Sequence, residues 1–401
     1  MLSFEQLKNL SRISPTKIVL LVLDGLGGLP REDTGRTELQ TARIPNLDRI
    51  ADEGVCGMVD PVSRGVTPGS APGHLGLFGY DPLKFAVGRG ILEALGIDFD
   101  IKQGDVAVRG NFCTMDEQGL VTDRRAGRIS TERCVELCKS LNAIELDGAE
   151  IHVAPVKEHR LVAVFRGEGL SGDVSDSDPQ QVGMPPRTMV PLASGSQKMA
   201  DLAKEFVAKA KAILADSHPA NMVLLRGFSQ NPSLPTIGEV YKLSPVAIAS
   251  YPMYRGLAKL AGMKVLDTGP NIEDELRTLS EHYAEHDFFF VHVKKTDSSG
   301  EDGDFDAKVR VLEEVDRLLP DVMRLEPDVL VISGDHSTPA LLEAHSWHPV
   351  PVVLRSKWCR RDDVREFSER ACSSGALGRF PAMEIMTLAM ANALKLDKFG
   401  A

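Results

Sequence analysis

Lys17-Ile-Val-Leu-Leu-Val-Leu-Asp24-Gly25 is the stretch from which the fold is read. Its apolar run shows no polar alternation, so it suits a strand buried on both faces. A carboxylate and a glycine close it. The same grammar returns in Phe288-Phe-Phe-Val-His-Val-Lys-Lys-Thr-Asp297 and in Asp328-Val-Leu-Val-Ile-Ser-Gly-Asp335-His336. Helical spacing lies between these runs, as in 306–319, where Val309, Leu312, Val315 and Leu319 share one stripe. Strands alternating with helices predict an α/β domain with a mostly parallel sheet, and ligands of such sheets gather beyond the carboxyl ends of the strands. Asp24, Asp297 and Asp335 are therefore expected to converge.

The middle of the chain reads differently. Short strands are predicted over 106–112, 151–155 and 161–165, with helices over 131–141 and 197–214 and a polar, turn-rich stretch over 169–186. This predicts a smaller α+β domain of residues 105–218, inserted into a main domain of 1–104 and 219–401. Asn221-Met-Val-Leu-Leu-Arg226-Gly227 returns to the buried-strand style.

A chain of 401 residues with 43% hydrophobic content can bury a large core and an inserted lobe. A net charge of -11 argues against nucleic acid as a partner. It does not exclude a small anion, because a local cluster of cations outweighs a diffuse field within a Debye length. No apolar run approaches the ~20 residues that cross a bilayer, and the first residues lack the apolar stretch of a secretion signal. The expectation is a cytoplasmic protein with no membrane partner. The cysteines 56, 113, 134, 138, 359 and 372 fit reduced thiols there; Cys134 and Cys138 have helical spacing, but no second pair completes a zinc site.

The residues at the ends of the strands carry the chemistry. Asp335-His336 joins a carboxylate to an imidazole, and His345 and His348 follow nine and twelve residues after His336. Such mixed oxygen and nitrogen donors suit Zn²⁺ or Mn²⁺. Asp24 by itself reads equally as a helix cap. Asp297-Ser-Ser-Gly-Glu301-Asp302-Gly303-Asp304 puts four carboxylates in eight residues. It is no calcium EF-hand loop, since Asp302 stands where a glycine is required and Lys308 where a glutamate is required. It is either a solvated acidic loop or a site whose mutual repulsion calls for a cation.

Thr67-Pro-Gly-Ser70-Ala-Pro-Gly73-His74 is a turn leading into a helix. Ser70 there is either an N-cap or a group placed where unpaired N–H groups favour an anion. Neither a Gly-x-Ser-x-Gly elbow nor a Walker A sequence is present. A serine without its own histidine base needs another activator, and a divalent metal can supply one. Asp123-Arg124-Arg125-Ala-Gly-Arg128, with His159, Arg160 and Arg226, is either a solvated basic surface or an anion site, since arginine pairs bidentately with carboxylate and phosphate. Lys294 and Lys295, beside Asp297, read as ion-pair or phosphate-contacting groups.

Together, and in this order, Asp24-Gly25, Ser70-x-x-Gly73-His74-Leu75, Asp297, Asp335-His336 and His345-x-x-x-Pro349-Val350-Pro351 resemble the cofactor-independent phosphoglycerate mutases of the alkaline phosphatase superfamily. Gly79-Tyr-Asp-Pro82, Gly88-Arg-Gly90, Arg109-Gly-Asn-Phe112, Asp123 to Arg128 and Asp176-x-Asp178-Pro179 are similar to the archaeal-type branch. The resemblance implies an isomerase with an alkaline-phosphatase-like three-layer domain, two divalent metal ions (Mn²⁺, Mg²⁺ or Zn²⁺) and no 2,3-bisphosphoglycerate. One metal would sit on Asp24, Ser70, Asp335 and His336. The other would sit on Asp297, Glu301 and His345, with Glu301 where the longer bacterial and plant branch carries histidine. Ser70 would be phosphorylated, with Lys294 and Lys295 assisting. Phosphoglycerate would meet His74, Arg124, Arg125, Arg128, His159, Arg160 and Arg226, with Asp123 as proton shuttle and the inserted domain closing over the site. A metal-dependent phosphatase or phosphonate hydrolase and an inactive metabolite sensor are the alternatives. A homo-oligomer stays open.

Overall fold

A computed structural model describes residues 2–85 and 87–400. The chain divides into two compact units, residues 1–86 with 234–401, and residues 87–233.

The first unit is built on eight strands: β1 (Ile18–Leu23), β2 (Val55–Asp60), β8 (Pro245–Ile248), β9 (Lys264–Leu266), β10 (Phe288–Val293), β11 (Val329–Ser333), β12 (Val350–Ser356) and β13 (Gly378–Pro381). Their order is β13-β2-β12-β11-β1-β10-β8-β9. All neighbours pair in parallel except β12, which runs antiparallel to both β11 and β2. Every residue of β1, β2, β10 and β11 is buried, which is why these runs lack alternation: both faces of the sheet are covered. Each Val, Leu, Ile or Phe so buried contributes about 1.5–3 kcal/mol. The three strands recognised from their closing aspartates are adjacent, with β1 between β10 and β11.

One buried carboxyl in this unit sets a pH dependence. Glu275, in the helix Ile272–His282, is 2% exposed. Burial pushes it up to about 8 against the opposing hydrogen bonds of Ser250. The unfolded chain ionises this group near its ordinary value while the folded chain keeps the proton. Between about 4.5 and about 8 the folded state therefore binds more protons, and stability falls as pH rises through that window. Glu275→Gln should remove the dependence. Its free energy of unfolding in urea should match that of wild type near pH 4.5 and exceed it at pH 8 by on the order of 4 kcal/mol. Equal differences at both pH values would contradict this.

The second unit carries an antiparallel five-stranded sheet of β3 (Val106–Met115), β4 (Val121–Asp123), β5 (Glu150–Lys157), β6 (Arg160–Arg166) and β7 (Met222–Gln230). The helices Thr131–Leu141 and Gln197–Leu214 contribute Leu137, Leu141, Phe206 and Leu214 to the core on one side of it, with Phe112 and Phe165 from the strands. Cys134 and Cys138 are free thiols in that core. On the other side, Ile91 and Ala94 of the helix Arg89–Gly96 pack on Ala107, Val162 and Val164.

This unit extends beyond the predicted 105–218 at both ends. The 221–227 run, in the buried-strand style, is expected within the main domain of 219–401. It forms β7 instead, antiparallel to β3 from Val106↔Gln230 to Cys113↔Met222. A run of apolar residues reports that a strand is buried, not which sheet buries it.

A candidate metal centre and nucleophile

Asp24 leaves the end of β1, Asp335 lies two residues beyond β11, and Asp297 lies four residues beyond β10. All three are fully buried. Asp297 stands in the first turn of the helix Lys295–Glu301, where the helix dipole favours a carboxylate. The acidic segment is thus not an open loop: Glu301 ends that helix, Asp302 follows as its C-cap, and Asp304 caps the next helix. Asp24, Asp335 and His336 offer ligand atoms that lie within 4.8 Å of one another, and so do Asp297, His336 and His345. His336 belongs to both groups: its Nε2 lies 3.2 Å from Asp24 Oδ1 and 3.1 Å from Asp335 Oδ2, and its Nδ1 lies 3.9 Å from Asp297 Oδ1. His345 stacks on the His336 ring, with Nε2 at 3.6 Å from both Asp297 Oδ1 and Glu301 Oε1.

Two observations test whether a cation suits these donors. Asp24 Oδ1 and Asp335 Oδ2 are buried without a hydrogen-bond partner, although each faces an imidazole nitrogen. Buried oxygens of this kind in folded proteins are satisfied by a donor or an ion. The charges point the same way. Burial disfavours a charged His345, yet Glu301, the Pro68 carbonyl, Asp297 and Asp335 push it up to about 9. Burial would raise Asp24, but the Lys294 ammonium, the hydrogen bond with His292 and the nearby His336 imidazole hold it well below the usual carboxylate range. The site favours positive charge, and its oxygen and nitrogen donors fit a divalent ion.

Ser70 is the first residue of the helix Ser70–Leu77. Gly69 caps that helix, and no side chain serves as cap, so the capping reading of Ser70 does not hold. Its Oγ lies 3.3 Å from His336 Nε2 instead. The helix approaches the aspartate loop closely: a Cβ on Gly73 would meet the Asp335 carbonyl at 2.1 Å. Gly25 is required for a second reason as well, with φ at +64 and Thr338 Oγ1 and Asp297 Oδ1 at 2.6 and 2.8 Å from any added Cβ.

Several expected residues take other places. His74 was read as substrate-binding, but it is fully buried. Its Nδ1 pairs with the Ser70 carbonyl at 2.9 Å, one helical turn back, and lies 3.0 Å from Asp335 Oδ2, so it packs behind Asp335. Lys294 donates to Asp297 Oδ2 and lies 3.3 Å from Asp24 Oδ2, offsetting both charges. Lys295 is exposed, and its charge acts on Glu275 outside the cluster. Successive residues of a helix start point about 100° apart, which separates the two ammonium groups. His348 Nδ1 lies 3.0 Å from Ser346 Oγ, outside both ligand groups.

In the second unit, Arg124 is committed to a bidentate pair with Asp178 at 2.9 and 2.6 Å. Arg226 lies 3.6 Å from Asp176 Oδ2. The two acids of the Asp176-x-Asp178 motif thus fix arginines. Asp123 accepts from the backbone N–H groups of Arg125 and Gly127, so it shapes the loop. Arg125 and Arg128 are exposed, Arg160 is partly buried, and His159 is 5% exposed. Burial and the charges of Arg160, Arg125 and Arg109 outweigh Glu158 and lower His159 to about 4.

Two residues here were missed. His292, inside β10, sets Nε2 at 3.1 Å from Asp24 Oδ2 and stacks on Tyr254 at 3.7 Å between ring centres. The Tyr254 hydroxyl accepts from Lys294 at 3.1 Å. The signal for His292 was in plain view: one imidazole in the otherwise apolar Phe288-Phe-Phe-Val-His-Val.

A family profile described as 2,3-bisphosphoglycerate-independent phosphoglycerate mutase matches residues 51–221. A relative from Thermus thermophilus, named a probable 2,3-bisphosphoglycerate-independent phosphoglycerate mutase, is 50% identical over 403 residues, covering 99% of each chain. The chain belongs to this family of mutases. A Thermotoga maritima relative of the same name is 51% identical over 387 residues, 96% of each chain. Among solved structures, the cofactor-independent phosphoglycerate mutase of Thermoplasma acidophilum is 30% identical, with a TM-score of 0.69 over 94% of this chain and 100% of that one. A Pyrococcus horikoshii protein superposes with a TM-score of 0.84 at 28% identity, over 97% of this chain and 100% of that one. The enzyme is an isomerase, a phosphoglycerate mutase that does not use 2,3-bisphosphoglycerate. Among the described residues of the mutase, no helix is long and apolar enough to cross a membrane.

Proposed function

We propose that the enzyme interconverts 3-phosphoglycerate and 2-phosphoglycerate by passing the phosphoryl group through Ser70. The position of Ser70 carries this reading: it opens a helix, has no capping duty, and its Oγ faces the histidine common to both ligand groups. Asp24, Asp335 and His336, with Ser70, would hold one divalent ion, and Asp297, Glu301 and His345 a second. Mn²⁺, Mg²⁺ and Zn²⁺ all accept such donors. Bound there, the ions supply Lewis acidity that lowers the serine pKa and neutralises phosphoryl oxygens.

The chain's own groups do the rest. Ser70 Oγ gives up its proton and attacks phosphorus in line. The bond from phosphorus to the glycerate oxygen breaks with its electron pair, and that oxygen takes up a proton. Phosphoserine and glycerate result. Transfer back to the other glycerate hydroxyl restores Ser70. The unpaired N–H groups that open the helix Ser70–Leu77 favour the phosphoryl oxygens, and Lys294 supplies a fixed positive charge beside them. Within the second unit, Arg125 and Arg128 are exposed and suit a carboxylate, whereas Arg124 is already paired.

The test is incubation with 3-phosphoglycerate while 2-phosphoglycerate and inorganic phosphate are followed together. The isomer should accumulate to equilibrium without equivalent phosphate. Chelation should stop turnover and added Mn²⁺ restore it. Stoichiometric phosphate with no isomer would assign the enzyme to the hydrolases instead.

A further inference from the structure

Lys308 lies in the long helix Phe305–Arg324, outside both ligand groups, and is fully buried. Its ammonium donates to the carbonyls of Gly25 at 2.8 Å, Gly27 at 3.0 Å and Thr338 at 2.8 Å. Those three bonds use all three of its donors. Gly25 follows Asp24 directly, and Thr338 stands two residues after His336. Beyond the paired stretches of β1 and β11 the two segments are joined by isolated bridges of Leu26 and Gly27 to Ser337.

Thr338 extends the connection. Its N–H lies 3.2 Å from the Gly25 carbonyl and 3.1 Å from that of Gly27. Its hydroxyl donates to Asp297 Oδ1 at 2.6 Å, and the hydroxyl oxygen itself lies 2.9 Å from His336 Nδ1. One ammonium therefore ties together the segments that carry Asp24 and His336 and, through Thr338, the Asp297 carboxylate. Glu38 supplies the countercharge: its Oε1 lies 3.9 Å from Lys308 Nζ and accepts from the Ala340 N–H at 2.9 Å. A buried ammonium is costly unless its donors are all used, and here they are used on the turns that aim the ligands.

We propose that Lys308 is a positioning residue that pre-assembles the Asp24, Asp297 and His336 donors for divalent ions. This rests on the metal-centre reading of the same site. Lys395 is a natural control, because it is equally buried and donates to the Ser14 carbonyl at 2.7 Å and Asp287 Oδ2 at 3.0 Å, with no link to the ligand groups. Loss of a supporting partner of metal ligands typically weakens metal affinity about 10–100-fold.

The experiment titrates Mn²⁺ by calorimetry into chelator-treated, desalted wild type, Lys308→Met and Lys395→Met, with thermal midpoints measured alongside. Lys308→Met should bind Mn²⁺ about tenfold or more weakly, with kcat reduced and KM little changed. Lys395→Met should lose stability yet keep its Mn²⁺ affinity. Equal Mn²⁺ affinity in wild type and Lys308→Met would overturn the proposal. Wild type that takes up no Mn²⁺ would instead bring down the metal-centre reading. If Lys308→Met does not fold, hydrogen exchange of the Thr338 amide in chelated wild type decides: protection equal to that of the Mn²⁺-loaded enzyme supports pre-assembly, and free exchange overturns it.

Discussion

Ser70→Ala is expected to lower the interconversion of the phosphoglycerates by roughly 10⁴-fold or more, the scale seen when a nucleophile is removed, which is about 5.5 kcal/mol of barrier. The alanine keeps the helix start, since Gly69 and not the serine side chain caps the helix. Fold stability should therefore change by less than about 1 kcal/mol. What disappears is the oxygen that faces His336. Two measurements belong together: the rate of 2-phosphoglycerate formation, and mass spectrometry of the Ser70 peptide after quenching during turnover. Wild type should show a phosphorylated Ser70 peptide and the variant none. A Ser70→Ala enzyme with undiminished turnover would remove the nucleophile, and with it the two-step route.

His336→Ala should do comparable damage by another path. His336 belongs to both clusters and is assigned to the first ion, so the substitution strips a donor from that ion and opens the wall of the other cluster. It also removes the ring on which His345 stacks. Affinity for Mn²⁺ should fall by more than about a hundredfold, since a ligand is lost and not merely its support. Turnover at sub-saturating Mn²⁺ should fall at least as far. Calorimetric titration gives stoichiometry and affinity in one experiment, and activity against Mn²⁺ concentration gives the second reading. Two tightly held ions and wild-type turnover in His336→Ala would mean that the donors were misassigned.

Much of this site was legible from local pattern. The aspartates that close β1, β10 and β11 could be assigned to one place because unbroken apolar runs form parallel strands, and parallel strands present their carboxyl ends on one edge. Ser70 was legible as a helix start from the proline and glycines around it, but its freedom from capping was not. That depended on Gly69 taking the cap position. Arg124 and Arg125 look alike in sequence. Only the tertiary structure pairs the first with Asp178 and leaves the second exposed. The 221–227 run shows the same limit: its apolar residues predict a buried strand, and the pairing with β3 decides the unit.

The amino-acid sequence by itself determined the strand and helix types, the convergence of three aspartates and the family, because periodicity, turn residues and ordered motifs are local and survive without contacts. Tertiary structure decided which sheet took β7, that His74 and His292 lie behind Asp335 and Asp24, and that a lysine far along the chain holds the turns carrying the ligands. Those choices rest on donors and acceptors meeting across hundreds of residues. Hydrogen bonding fixes partners only once the chain has brought them within about 3 Å.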